Sequence, residues 1–167
     1  MRDERGFTLI ELLVTMAASL ILLVGIVNVF VSGTRAAADA GARITAQQGT
    51  RVALDRLEYE ARCATSATLV GGGSGVSLVL PSWCSHGTGN VCWGVTGGVL
   101  ERYVGSSCSG TGESFVRSVT SATPFSLQIA SGDLPQLEVQ LAVDATSRAS
   151  DAVTLTDTIT LRNAARS

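Results

Sequence analysis

From Leu12 to Val31 the chain carries no charged residue. As a helix that stretch covers about 30 Å, the thickness of a bilayer's hydrocarbon core. Its polar members, Thr15, Ser19 and Asn28, have side chains that bond back to helix carbonyls or to neighbouring helices. Arg2 and Arg5 precede the run and the bulk of the chain follows it. The positive-inside rule therefore places the N-terminus in the cytoplasm, with Asp3 and Glu4 offsetting part of the bias. A secretory signal peptide fits poorly: the apolar region is too long, and no clear small-x-small site closes it near Ser32–Ala38. A plain single-pass anchor fits better but leaves Glu11 unexplained. A carboxylate in mid-membrane costs on the order of 2.5–3.5 kcal/mol on insertion scales, less near the edge, and such a residue usually has a partner.

The residues around Glu11 read Gly6-Phe7-Thr8-Leu9-Ile10-Glu11-Leu12-Leu13-Val14. This stretch resembles the class III signal of type IV pilins and of the pseudopilins of type II secretion. The resemblance implies a prepilin peptidase that cuts between Gly6 and Phe7 and methylates the new amine of Phe7. It also implies that Glu11 of one subunit neutralises the Phe7 ammonium of another inside an apolar filament core. A buried charge without a partner is heavily penalised, so such a pair sets register between subunits. Major pilins commonly carry a helix-breaking Pro about two-thirds along this segment. Here Asn28 stands in that neighbourhood and the first Pro is Pro81, which leans toward a minor pilin or pseudopilin with a continuous helix.

Past the membrane segment the helical pattern continues. Leu54, Leu57, Ala61 and Ala64 make an apolar stripe, with Arg51, Asp55, Arg56, Glu58 and Arg62 on the other faces. Glu58 and Arg62 form an i,i+4 pair in the favourable order. The expected organisation is a leader at 1–6, a membrane or filament-core helix at 7–31, an amphipathic continuation at 32–68, and a β-rich extracytoplasmic domain at 69–167. Gly71–Gly75 reads as a flexible connector, not a phosphate loop, because no Lys follows it. Val76–Leu80, Val91–Val95, Val99–Tyr103, Phe115–Val119 and Phe125–Ile129 read as strands, with a tight hairpin at Gly97-Gly98. Leu137, Val139, Leu141 and Val143 alternate with polar residues, as do Val153, Leu155, Ile159 and Leu161, with Asp157 as the interruption. Alternation implies an antiparallel sheet with one buried face, so the fold class is α+β: a long N-terminal helix packed on an antiparallel sheet. Trp93-x-Val95, Leu100-x-Arg102, the later strand pair and the closing Ile159–Asn163 also resemble minor pilins of the W type and J-type pseudopilins.

The chain has four Cys and one His, a disulfide count more than a metal count. Outside the cytoplasm such bonds persist. Three connectivities exist for Cys63, Cys84, Cys92 and Cys108. Cys84 with Cys92, closing a short polar loop, and Cys63 with Cys108 is the first expectation. No zinc spacing is present, His86 stands alone, and Asp151 and Asp157 read as loop or sheet-edge carboxylates. No catalytic set, metal or cofactor is therefore expected. Trp83 and Trp93 read as core residues or as an exposed contact surface. Net charge is −2, so nucleic acid is not indicated as a partner. The expected partners are the prepilin peptidase, other pilin or pseudopilin subunits along the N-terminal helix, and inner-membrane lipid before assembly. A type II secretion pseudopilin and a competence pseudopilus subunit are alternatives within that class. A membrane-anchored extracytoplasmic binding domain is the alternative outside it.

Overall fold

The computed structural model describes residues 8–85, 87–129, 133–146 and 152–164. The chain forms two compact units, Met1–Gly41 and Ala42–Ser167. Helix α1 (Leu9–Cys63) supplies the secondary structure of the first unit and the opening element of the second.

In the second unit α1 has one buried seam: Thr50, Ala53, Leu54, Leu57, Glu60, Ala61 and Cys63. Steps of three and four put these residues on one face. The strands that follow are β1 (Ser66–Val70), β2 (Gly75–Leu80), β3 (Gly89–Thr96), β4 (Val99–Val104), β5 (Glu113–Arg117), β6 (Phe125–Gln128), β7 (Gln136–Val143) and β8 (Val153–Thr160). They form a five-stranded sheet in the order β1-β2-β3-β4-β5 and a three-stranded sheet in the order β6-β7-β8. All neighbouring pairs are antiparallel. The single sheet expected from the alternation is thus two sheets. Between them Ser118 takes a left-handed conformation (φ 61°), and Val119 makes an isolated bridge to Val143 instead of extending β5.

One core serves both sheets and the helix. Leu57 and Ala61 of α1, Val76 and Leu78 of β2, Trp93 of β3, Leu100 of β4, and Leu137, Val139 and Leu141 of β7 all belong to it. In β7 every second residue from Leu137 is buried, the outcome that period-2 alternation dictates.

Two expectations between the helix and the domain are corrected. The helix ends at Cys63, where its pattern was expected to stop, but the 32–68 segment drawn as its continuation overruns it: Ser66–Val70 pairs with β2 along its whole length. Thr68, Leu69 and Val70 are better strand than helix formers. The Gly71–Gly75 connector is instead a fixed hairpin turn. Gly71, Gly72 and Gly73 have φ of 60°, 68° and 102°, values that disfavour side chains. A Cβ on Gly73 would lie 2.7 Å from the Phe125 carbonyl oxygen.

The expected cysteine pairing is also corrected. Cys63 bonds Cys84, and Cys92 bonds Cys108. In β3, Val91 and Trp93 face the core, so Cys92 between them points to the opposite face. There it meets Cys108 from the β4–β5 connection. Cys84, past the end of β2, meets the last residue of α1. The second bridge needs room on the outer sheet face. A Cβ on Gly75 or Gly94 would come within 2.6 or 2.8 Å of the Cys108 Sγ, so glycine at both positions lets the loop lie flat.

Candidate functional site

The segment singled out for function begins at the chain's start. Gly6 and Phe7 lie outside the described residues; Thr8 and Glu11 are described. The Glu11 N–H donates to Thr8 Oγ1 at 3.3 Å. The Thr8 N–H and hydroxyl donate to Glu11 Oε2 at 3.1 and 2.9 Å. This reciprocal pair is a capping box, satisfying backbone donors that the first turn of α1 would otherwise leave open. The signal was present in the sequence as Thr-x-x-Glu before an apolar run, a capping role for Glu11 that the charge argument overlooked.

From Leu9 to Phe30 the large apolar side chains are exposed, and the helix is long and apolar enough to cross a membrane. It stays helical through Asn28. The hydroxyls of this stretch turn inward to their own backbone. Thr15 donates to the Leu12 carbonyl at 2.9 Å, Ser19 to Thr15 at 2.7 Å, and Ser32 to Val29 at 2.9 Å. A side chain bonded in this way presents no open donor to an apolar surrounding.

In the second unit, sequence reasoning missed Glu60. Its carboxylate is fully buried and accepts from Trp93 Nε1 at 2.8 Å, Arg102 Nε at 2.9 Å and Arg56 Nε at 2.9 Å. Glu60 thereby clamps α1 to β3 and β4. Its position three residues after Leu57 and four before Ala64 puts it on the apolar seam, a placement that alone called for a cationic partner. Trp93 is core, whereas Trp83 is 63% exposed on the turn that Cys84 ties to α1. Arg62 donates to Glu58 as the spacing implied.

On the outer sheet face Tyr103 donates to Glu101, and Ser114 Oγ donates to the same carboxylate at 2.9 Å. The Tyr103 bond, then the Ser114 bond, hold the Glu101 carboxyl below its ordinary value. The Glu101 bond pushes the Tyr103 phenol up. Among the described residues, no group of three or more His, Cys, Asp or Glu is placed to hold a metal ion. His86 and Asp151 lie outside those residues.

Residues 1–27 match the family described as the prokaryotic N-terminal methylation motif. No curated protein and no solved structure matches the chain. The N-terminal segment is therefore a prepilin signal of the type IV pilin kind, joined to an α+β domain in which a helix packs on antiparallel sheets. Such signals belong to structural subunits and imply a prepilin peptidase and assembly with other pilins.

Proposed function

We propose that this chain is a structural subunit, a minor pilin or pseudopilin, of a type IV pilus-like filament. The peptidase cuts between Gly6 and Phe7 and methylates the Phe7 amine. Before assembly the apolar helix sits in the inner membrane as a single pass, with the N-terminus cytoplasmic and the β-rich domain outside. In the filament it packs among the helices of other subunits. The single observation that carries this reading is Glu11. It is a carboxylate at the fifth residue past the proposed cut, in a run whose side chains are apolar, exposed and otherwise satisfied. Helix continuity through Asn28 favours the minor or pseudopilin assignment over a major pilin. Secretion and competence pseudopili remain alternatives within this function.

The decisive experiment separates the two roles of Glu11. Glu11→Ala removes both cap and charge; Thr8→Ala removes the hydroxyl half of the cap and keeps the charge. Losing the cap costs about 0.5–2 kcal/mol locally, which a long helix absorbs. Glu11→Ala is expected to be cleaved and membrane-resident yet missing from sheared filaments, while Thr8→Ala enters them. Equal incorporation of Glu11→Ala and wild type defeats the assembly role. An intact Met1 on the functional protein, by N-terminal mass analysis, defeats the processing.

A further inference from the structure

The interruption at Asp157 finds its use at the edge of the second sheet. β8 pairs with β7 on one side, and among the described residues no strand pairs with its other side. The hydrogen-bond phase tells which groups face that open side. The Leu161 N–H donates to the Pro135 carbonyl on the β7 side at 2.9 Å. Counting back by twos, Ile159, Asp157, Leu155 and Val153 direct their backbone groups at β7. Thr154, Thr156, Thr158 and Thr160 direct theirs to the open edge. The same phase holds across β7, where the Gln140 N–H bonds the Pro124 carbonyl on the β6 side at 2.7 Å.

An eight-residue strand with an open row of donors and acceptors is a template for another strand. Asp157 interferes with it twice. It stands in the core-facing row, opposite the buried Val139, so a charge breaks the apolar row of Val153, Leu155 and Ile159. Its Oδ1 also accepts the Thr158 N–H at 2.8 Å, taking an edge donor that an incoming strand would need. We propose that Asp157 is an edge guard that keeps β8 of one copy from pairing with β8 of a second. An antiparallel β8–β8 pair centred here would set two Asp157 carboxylates opposite each other, a destabilising arrangement. This role stands apart from the N-terminal signal and does not depend on the filament reading.

The test uses the full chain in detergent micelles, with wild type as the reference for association through the apolar helix. Asp157→Val completes the apolar row and frees the Thr158 N–H. It is expected to raise the fraction in larger assemblies several-fold, read by sedimentation and thioflavin fluorescence. Adding Thr158→Pro removes that N–H without touching a β7 bond and should return the fraction to wild type. Wild-type behaviour of Asp157→Val, or a double variant that associates as strongly as the single, overturns the guard. If near-ultraviolet circular dichroism shows Asp157→Val unfolded, Asp157→Ala decides. It removes the charge and the Thr158 acceptor together, so increased association in the folded variant supports the guard and wild-type behaviour overturns it.

Discussion

The two ends of α1 share a backbone conformation and little else. Near its start, Leu12, Leu20 and Phe30 stand exposed, and hydroxyls bond their own helix. Near its end, Leu57 and Ala61 are buried, and a carboxylate reaches across to two other elements. One element can therefore carry two unrelated stability rules. In the second unit the side chains are fixed by packing within the chain, so changes there register as folding free energy. In the first unit the described large apolar side chains are exposed, so changes there should register only when lipid or another subunit supplies contacts.

That contrast fails if the two ends respond alike. The largest expected effect is at Glu60. Glu60→Ala leaves Arg102 and the Trp93 indole without their acceptor, at a cost of about 3–5 kcal/mol, read from denaturant unfolding of the domain in detergent. Leu57→Ala should cost about 2–5 kcal/mol by transfer and cavity terms. The matched change near the start, Leu22→Ala, should leave domain unfolding within about 0.5 kcal/mol of wild type. A domain destabilised by Leu22→Ala as much as by Leu57→Ala would break the distinction. Replacing Cys92 and Cys108 together by Ala should cost about 3 kcal/mol, the chain-entropy figure for a bridge of this span (sequence separation 16).

The smallest effect sharpens the comparison through pH. Glu101 has a carboxyl held below its ordinary 4.5 in the fold. Its contribution is present above about pH 4.5 and is lost as pH falls through the depressed folded value. Tyr103 is shifted the other way, from 10.0 upward; its contribution is present below about pH 10 and is lost as pH rises through the raised folded value. Glu101→Gln should flatten the acid side of a Tm-against-pH profile of the domain, and an unchanged acid limb would remove this carboxylate from the account.

Periodicity made the helix and most strands legible, and a fixed motif did the same for the N-terminal methylation signal, because each constrains neighbouring residues. What stayed hidden depended on facing. Cys84 and Cys92 are near in sequence, but Cys92 sits between two core-facing residues of β3 and must look away. The alternation rule held that information; the short-loop argument overrode it. Ser66–Val70 reads as a frayed continuation of an Ala-rich helix until β2 supplies the partner that makes it a strand. Glu60 was passed over because a charge on a helix is ordinarily solvated, and two of the partners that make its burial affordable, Trp93 and Arg102, come from strands far along the chain, beside Arg56 one turn back. The Thr8–Glu11 box lay in plain sequence behind a stronger motif.

The inward-turned hydroxyls of Thr15, Ser19, Ser32 and Thr34 have a consequence for transit between phases. A helix with these groups already bonded to itself leaves lipid and enters a protein bundle with no hydrogen bond broken and none formed by them. The exchange is close to athermal in polar terms, so dispersion and shape decide how readily the rod moves. Under the assembly proposed above, the Glu11 carboxylate at one end of such a low-friction surface would act as a latch, stopping the rod where it meets the Phe7 ammonium of another subunit.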